Sequence, residues 1–479
     1  MTPSGTTIAP KLTILSEDAK QAIHEAALTI LEDIGMKILH PVALDRLRSA
    51  GCPVENESLV KIPSDLVLQS LDSPPSNIEI YDRLGNHVMD LGGRRSYFGT
   101  GSDLIYAHEA DTGKRHQCVL EDIGIAASVS DALPNIDFIM SFAHPHEVNP
   151  DRSYVLSFQA MASHSVKPIV NTAKGRDDLN KMWEIACLLR GGEEKLRQKP
   201  YFIHYAEPIS PLKFPFDSLD KALFCAEKGV PLIYSPAPIA GSTAPMSIAG
   251  HVAQGLAECF CGLVIHQLTA QGAPFLMGMG PAVLDMATSQ CSYNAPEYIM
   301  AYQAIIEMSL FYDLPNWGYA GTSDSQVPDE QATLESGLET YIAAMSGSNL
   351  NHDVGYLDFG RTGSLEMMVV LDEIIDQVRR MCRGIPIDGD FLGVDAIRDV
   401  GPDGNFLTHP HTLKHMRATQ WRPRLISRAG FEKWQAAGET TLMERAREQL
   451  ARIRAGHRPI PIDPEIAATI QALVDRYDP

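Results

Sequence analysis

Short apolar segments recur at nearly constant spacing through the middle of this chain, and this repeat limits its fold more than any other feature. Successive segments lie roughly 30 to 43 residues apart, which leaves room for one strand, one helix and their loops. Such short apolar runs are typical of parallel strands buried on both faces. The eight segments are Ser96–Gly101, Ile136–Phe142, Pro168–Thr172, Tyr201–Ala206, Pro231–Ser235, Pro274–Met279, Asn316–Ala320 and Asn349–Val354.

Helical patterns separate these segments, for example in Leu179–Leu189, Ser218–Lys228 and Ala295–Tyr312. Eight strand–helix repeats predict a (β/α)8 TIM barrel of the α/β class, with its active site at the carboxyl ends of the strands. A doubly wound open sheet is the alternative. It usually carries a glycine-rich nucleotide loop after its first strand, but Gly99–Gly101 is followed by strand-like residues, so we favour the barrel.

The repeat also divides the chain into three predicted regions. Residues 1–94 form an N-terminal helical and β extension, since helical spacing begins at Ser16 and short strand patterns follow near residues 78–91. Residues 95–384 form the barrel. Residues 385–479, with a Trp- and Arg-rich stretch and a charged helix at Thr441–Arg454, form a C-terminal helical wrap or an oligomer contact.

Charge and apolar content narrow the classes of partner. The 479 residues carry 60 acidic and 40 basic side chains, a net charge of −20, which argues against nucleic acid or an anionic membrane. The N-terminus lacks the pattern of a signal peptide, and we find no run of eighteen uncharged apolar residues. The 8 cysteines are scattered, as in a reduced protein. We therefore expect a cytoplasmic protein that can attract a cationic substrate.

The loop after the last predicted strand is suited to binding a small charged molecule. It places His352, Tyr356, Phe359 and Arg361 close together in the sequence. Aromatic faces attract cations, and histidine and arginine donors bind anions, so this loop could hold a small zwitterion. The alternative is a structural turn whose aromatic rings pack on the barrel rim.

Other aromatic and acidic residues follow earlier strands and should converge on the same end of the barrel. Tyr97, Tyr205 and Glu207 belong to this group, together with Trp317 and Tyr319. An alternative role for Glu207 is to cap a loop. The predicted binding residues are His352, Tyr356, Phe359, Tyr97, Tyr205, Glu207 and Arg361.

No metal site and no catalytic side chain are predicted. The HPHTLKH stretch, His409–His415, holds three histidines, but Pro410 and its place in the tail favour a loop and helix cap. Cys259 and Cys261 are two apart on a predicted helix and therefore point in different directions. We find no cysteine pair with zinc spacing, no Ser–His–Asp set and no P-loop.

Six longer motifs are spread over nearly the whole chain: DALPNIDF (Asp131–Phe138), PISPL (Pro208–Leu212), AGSTAPMSIAGHVAQGLAE (Ala240–Glu258), GTSDSQVPDEQA (Gly321–Ala332), NHDVGYLDFGRTGSLEMMVVLDE (Asn351–Glu373) and GPDGNFLTHPHTLKH (Gly401–His415). In sequence and in order, these motifs resemble the trimethylamine methyltransferase family. Its founding members carry pyrrolysine, whereas this chain has only standard residues and so resembles the non-pyrrolysine branch, for which glycine betaine is the leading substrate.

The resemblance implies a (β/α)8 barrel and a methyltransferase acting in methanogenesis-related methylamine metabolism. It would transfer a methyl group from glycine betaine to the Co(I) corrinoid of a small partner protein, giving dimethylglycine and methyl-Co(III). No cofactor would be bound tightly, and a homo-oligomer is expected. The alternatives are another betaine such as proline betaine or carnitine, a non-catalytic quaternary-amine binding protein, and a zinc thiolate methyltransferase, which the missing His/Cys set disfavours.

The implied chemistry explains why no acid–base pair stands out. The tertiary amine leaves as a neutral molecule, so no general acid is needed, and aromatic faces hold the cation with less ground-state stabilisation than a close carboxylate. We expect at least two of Tyr97, Tyr205, Tyr356 and Phe359 to face one pocket. His352 is assigned to the substrate carboxylate, with Arg361 as the competing partner and a structural histidine as the alternative.

Overall fold

A computed structural model describes residues 10–109 and 112–477. The N-terminal region begins with a helix capped by Ser16, whose hydroxyl accepts a hydrogen bond from the Ala19 amide, with Glu17 and Asp18 in its first turn. A π-helical turn, Ile30–Ile34, ends this helix at Gly35, where φ is 88°. The elements here are α1 (Glu17–Thr29), β1 (Met36–Ile38), α2 (Pro41–Ser49), β2 (Val54–Glu55), β3 (Leu59–Val60), α3 (Ser64–Leu71), β4 (Ile78–Tyr81) and β5 (His87–Leu91).

The central region alternates strands and helices. Its elements are β6 (Tyr97–Phe98), β7 (Tyr106–His108), β8 (Arg115–Gln117), α4 (Leu120–Ala132), α5 (Ser153–His164), β9 (Ile169–Asn171), α6 (Arg176–Arg190), α7 (Glu193–Gln198), β10 (Phe202–Ala206), β11 (Lys213–Phe214), α8 (Phe216–Lys228), β12 (Leu232–Tyr234), α9 (Ile248–Thr269), β13 (Phe275–Gly278), β14 (Val283–Leu284), β15 (Cys291–Ser292), α10 (Pro296–Phe311), β16 (Asn316–Tyr319), α11 (Glu330–Ser346), β17 (Leu350–His352), β18 (Tyr356–Leu357), β19 (Thr362–Ser364) and α12 (Leu365–Cys382).

The main sheet has seven strands, in the order β6-β17-β16-β13-β12-β10-β9, and every neighbouring pair is parallel. Helices cover its outer face, and all residues of β9, β12 and β13 are buried. Strands with both faces buried need apolar residues at consecutive positions, which is why their sequence shows short apolar runs.

The predicted second strand, Ile136–Phe142, is where the structure departs from the predicted closed barrel. This segment makes isolated parallel bridges, from Phe138 to Gly99 and from Ile139 to Ile169, instead of a regular strand. Phe142 adopts a φ of 63°, which ends extended pairing. The fold is therefore mixed α/β with a curled seven-stranded parallel sheet, and the two bridges link its two edge strands.

The β4–β5 hairpin closes the amino-terminal end of this sheet. The Tyr81 amide donates to the carbonyl of Pro200, just before β10, and so places the hairpin under the strand starts. Its inward residues Ile80 and Leu91 join a buried apolar cluster with side chains from the inner face of the sheet.

Helix α9 is long and apolar enough to cross a membrane by length and composition, with a mean hydropathy of 1.5. However, 83% of that apolar window is buried inside the protein. The helix packs against α1, α3, α8 and α10. Its apolar character is therefore that of a core helix.

The C-terminal region is helical and lies across the central region. Arg424 pairs with Asp372, and the Glu373 carboxylate of α12 accepts amide hydrogen bonds from residues 424–426. His457 lies 2.8 Å from Asp131. The elements are α13 (Gly389–Leu392), α14 (Val394–Val400), α15 (Pro410–Thr419), α16 (Phe431–Ala436), α17 (Leu442–Gly456) and α18 (Pro464–Asp475).

Candidate functional site

The carboxyl ends of the parallel strands gather titratable and aromatic side chains at one end of the sheet, which we call the mouth. β10 supplies Tyr205 and leads into Glu207, β16 ends at Tyr319, and β17 ends at His352 and is followed by Asp353. This is the end of a parallel α/β sheet at which ligands bind. The five side chains come from distant parts of the sequence, and the sheet register aligns them.

His352 is held rigidly at the mouth. Its ring stacks on Trp317 with centroids 4.0 Å apart and contacts Tyr319 at 4.3 Å. Its Nδ1 lies 2.7 Å from the carbonyl oxygen of Gly318, which can only accept, so Nδ1 carries the proton. Burial lowers the pKa of His352 to about 3, and the Gly318 carbonyl only partly opposes this. The ring is therefore neutral, and its free Nε2 cannot donate a hydrogen bond.

Asp353 is the least expected member of the site. Its side chain is only 9% exposed, and its closest ionisable partner is His352 Nε2, 3.4 Å from Oδ2. Its backbone is left-handed, with a φ of 77°, a strained conformation that aspartate tolerates better than most residues. Gly101 makes room for the carboxylate, because a Cβ there would lie 1.9 Å from Oδ1. Burial, and then the charge of Glu339, raise the pKa of Asp353 well above its usual range.

Tyr205 and Glu207 form a hydrogen-bonded pair on another wall of the mouth. The Tyr205 hydroxyl donates to Glu207 Oε2 at 2.7 Å. Glu207 is exposed to solvent, yet the protein atoms packed around it raise the pKa of its carboxyl through desolvation. Solvent exposure and desolvation agree because the Glu207 carboxylate lies in a concave part of the surface, where solvent reaches it but many protein atoms surround it.

Aromatic rings form the lining between these carboxylates. Tyr293 and Tyr319 have centroids 6.4 Å apart, and Tyr205 lies 5.9 Å from the buried Trp317. The charges of Glu207 and Asp353 raise the pKa of both Tyr293 and Tyr319, after the larger effect of burial. Rings and carboxylates therefore lie close enough to act on one ligand, a combination that attracts an organic cation.

A lysine, Lys221, lies near Glu207 of the mouth. Lys221 of α8 donates to the Ala173 carbonyl at 2.6 Å, beyond the end of β9. Among the described residues no carboxylate lies within 4.0 Å of its ammonium, although the charges of Glu207 and Asp103 act on it at longer range. Burial lowers the pKa of Lys221, and Glu207 partly opposes this. A cationic group without a close ion partner can receive an anion.

Two of the aromatic residues predicted for the site lie elsewhere or are already engaged. Tyr97 lies at the closed end of the sheet, where its hydroxyl accepts a hydrogen bond from the Asp90 amide at 3.1 Å. Tyr356 is 3% exposed and donates from its hydroxyl to the Ser102 carbonyl at 2.8 Å. Its ring and the Asp353 carboxylate both border Gly101, and its contacts are those of a packed support.

The remaining two predicted residues, Phe359 and Arg361, lie on the outer rim. Phe359 lines an open groove of about 480 Å³ together with Met246 and Met286. Arg361 is bound to Asp358, with nitrogen and oxygen 2.8 Å apart, and its guanidinium lies 5.7 Å from the Phe359 ring centre. Of the residues predicted from sequence, the structure thus brings together Tyr205, Glu207 and His352 at the mouth.

Sequence reasoning missed Asp353, Tyr293 and Lys221, and also Asp103, whose charge adds to the effect of desolvation in raising the pKa of Glu207. Asp353 directly follows a predicted strand end, and that position was the signal that could have singled it out. Tyr293 and Lys221 gave no such signal. Tyr293 lies in a loop. Lys221 lies within α8, whose sequence has the pattern of an ordinary amphipathic helix, in which a lysine is expected on the polar face.

The three histidines of the HPHTLKH stretch do not share one partner, although the rings of His411 and His415 lie 4.3 Å apart. His409 caps α15, whereas His411 and His415 bind the backbone carbonyl and the carboxylate of Asp390. The group with metal-ligand spacing among the described residues is instead Glu79, His87 and Asp90 on the β4–β5 hairpin. It is surface-exposed, and its His87–Asp90 pair already accounts for its geometry.

Comparison with known proteins identifies the relatives of this chain. The family described as Trimethylamine methyltransferase (MTTB) matches residues 2–478. Trimethylamine methyltransferase MttB of Desulfitobacterium hafniense is 30% identical over 97% of this chain and 93% of its own length. A glycine betaine methyltransferase of the same species is also 30% identical, over 97% of both chains.

A solved structure supports the fold. The monomethylamine methyltransferase MtmB of Methanosarcina barkeri superposes with a TM-score of 0.53 at 14% sequence identity, covering 93% of this chain and 89% of MtmB. At this identity the likeness concerns architecture alone. The family resemblance predicted from the sequence motifs is confirmed by the family match.

Proposed function

This chain belongs to the trimethylamine methyltransferase family, and from that premise we propose that it transfers a methyl group from glycine betaine, or a close quaternary amine, to the Co(I) corrinoid of a partner protein. The observation that carries the proposal is the mouth, where Tyr205 is hydrogen-bonded to Glu207 and where the charges of Asp353 and Glu207 both act on Tyr319. Rings and carboxylates in this arrangement favour a small organic cation.

The reaction needs little from acid–base groups. The bond between the methyl carbon and nitrogen breaks with its electron pair remaining on nitrogen, so the amine leaves neutral and needs no proton. The corrinoid supplies the nucleophile when its carrier protein is present. Glu207 and Asp103 are both exposed at the mouth, so the acceptor can approach through this opening. The chain itself holds the cation, orients one methyl group outward and limits water around it.

For the substrate carboxylate we propose Lys221. Neutral His352 has no hydrogen to donate from Nε2, and Arg361 is engaged with Asp358 at the rim. Lys221 has two ammonium hydrogens beyond the one given to Ala173, and its charge reaches Glu207. A zwitterion would then lie with its ammonium among the rings and carboxylates and with its carboxylate toward Lys221, so that each of its charges faces an opposite charge.

The closed (β/α)8 barrel also remains a proposal. It is supported by the parallel bridges that Phe138 and Ile139 make to the two edge strands. The likeness to MtmB over 93% of the chain supports the same architecture. A cytoplasmic location and a homo-oligomer remain predictions from the sequence.

The test is methyl transfer with purified components. The protein would be mixed with a reduced corrinoid protein and with glycine betaine, proline betaine, carnitine, choline or trimethylamine in turn. We expect methyl-corrinoid formation by absorbance and matching dimethylglycine by mass spectrometry, with glycine betaine fastest. Binding of a betaine without transfer to any corrinoid protein would favour a non-catalytic binding protein. Preference for trimethylamine would overturn the quaternary-amine assignment.

A further inference from the structure

The carboxyl of Asp353 is enclosed but has no hydrogen-bond donor assigned to it among the described residues. It is 6% exposed as a residue, and its contact with His352 Nε2 at 3.4 Å is longer than an ordinary hydrogen bond. The neutral tautomer of His352 presents a lone pair there, not a hydrogen. An ionised Asp353 would therefore face an acceptor.

Within residues 10–109 and 112–477, the titratable groups around Asp353 provide no positive charge. Glu339 of α11 adds a nearby acid, itself fully buried, and desolvation raises its pKa to about 8. Burial keeps His352 neutral near physiological pH. The other titratable groups that act on Asp353 or are acted on by it are the phenols Tyr293 before α10, Tyr298 of α10, Tyr319 of β16 and Tyr356 of β18.

We propose that Asp353 holds a proton in the empty site, and that a bound quaternary ammonium displaces this proton and takes the ionised Asp353 as its counter-charge. This inference rests on the proposed function, because it names the group that recognises the cation at that site. The charge is conserved: one fixed cation enters, and one proton leaves to solvent through the open mouth.

Methyl transfer would reverse this exchange. When the methyl group departs, the electron pair of the broken bond stays on nitrogen and the substrate loses its positive charge. Asp353 is then an uncompensated buried anion and takes a proton back from water. The amine product therefore loses its counter-charge when it is formed, which favours its release.

The same exchange limits ground-state binding. A permanently ionised carboxylate would stabilise the cation strongly before its charge disappears in the transition state, and that would slow the chemical step. Part of the attraction to Asp353 is instead consumed in removing its proton. The site can thus select a cation without holding it too tightly.

The test measures protons released on binding, without any corrinoid. Wild-type protein is titrated calorimetrically with tetramethylammonium and with glycine betaine, in buffers of different ionisation enthalpy. Neither ligand releases a proton between about pH 6 and about pH 9, so released protons come from the protein. At pH values at which Asp353 of the free protein is protonated, we expect binding to release close to one proton per site. Over that pH range Kd should fall about tenfold for each unit by which the pH rises.

Asp353→Asn and Glu207→Gln separate the two carboxyls of the mouth. Asparagine tolerates the left-handed backbone of this position, and the variant should bind without releasing protons and with a pH-independent Kd. Glu207→Gln should retain the release. Wild-type binding without proton release, or release that survives in Asp353→Asn, overturns this inference and leaves the proposed function standing. Failure of wild-type protein to bind any quaternary amine overturns both.

Discussion

The two ends of the central sheet are built from the same strands but have opposite character. At the amino-terminal end, Ile80 and Leu91 of the hairpin fill the space between the strands with apolar side chains. At the carboxyl-terminal end, Glu207 and Asp353 are placed where desolvation raises the pKa of both. One end is filled with packed apolar side chains, and the other holds carboxyl groups whose charged form is disfavoured by burial. Such a division places stability at one end and ligand binding at the other.

The largest expected effect is a loss of stability caused by a change at the closed end alone. Ile80→Ala removes a fully buried side chain and should lower the free energy of unfolding by about 2–5 kcal/mol. The affinity for the amine should stay within about twofold, since the hairpin lies at the far end of the strands. Denaturant unfolding and calorimetric titration check the two values. A variant that stays folded but loses amine binding would show that the ends are coupled.

The next effect tests whether Lys221 binds the substrate carboxylate at the mouth. Lys221→Met should weaken glycine betaine binding by about 1.5–3 kcal/mol, roughly 10- to 150-fold, because a charged donor to the carboxylate is lost. Choline, which lacks a carboxylate, should bind nearly as before. Lys228→Met on the same helix is the matched control, since Lys228 pairs with Glu193 at the surface. Equal losses for betaine and choline would remove Lys221 from the substrate site.

A smaller effect separates two roles for His352. The sequence-based hypothesis is that His352→Ala impairs betaine use at least tenfold while sparing choline. The stacking on Trp317 and the hydrogen bond to Gly318 favour a supporting role instead. On that basis the variant should weaken both ligands alike, by about 0.5–1.5 kcal/mol, the value of an aromatic pair. The betaine-to-choline affinity ratio, measured by titration, decides between them.

The smallest effect is on the stability of the substrate-free protein. The folded-state pKa of Asp353 is raised above its unfolded value of 3.8. Its contribution to the free energy of unfolding is therefore fully present below pH 3.8 and is lost as the pH rises through the folded-state pKa. Asp353→Asn lacks this loss, so its Tm should exceed that of wild type near neutral pH, and the difference should shrink toward acid pH. Glu79→Gln on the exposed hairpin face should change Tm little. A lower Tm for Asp353→Asn at neutral pH would contradict the protonated state.

Most of the sheet could be predicted from the sequence because burial of both strand faces leaves a local signature. Seven of the eight predicted segments contain a strand of the main sheet. The exception, Ile136–Phe142, is apolar like the others, but its backbone turns at Phe142 and leaves only isolated bridges. Apolar content reports burial, and it does not report backbone angles.

The candidate site was predicted less completely, for a related reason. Aromatic residues at strand ends could be singled out by type and position, and Tyr205, Glu207 and His352 do lie at the mouth. Tyr97 has the same residue type, but it starts its strand and therefore lies at the closed end. Phe359 lies in a turn with positive φ at positions 358 and 359, and Arg361 follows it, so the turn carries both side chains to the outer rim.

The sequence by itself determined the family, the alternation of strands and helices and the end of the sheet that would carry the site, because these depend on residue type and spacing along the chain. Only the tertiary structure decided which side chains share that end and which tautomer His352 adopts. The carbonyl of Gly318 sets the tautomer of His352, and Gly101 makes room for Asp353, from 34 and about 250 residues away. Hydrogen bonding and desolvation act through space, so a linear pattern carries no record of them.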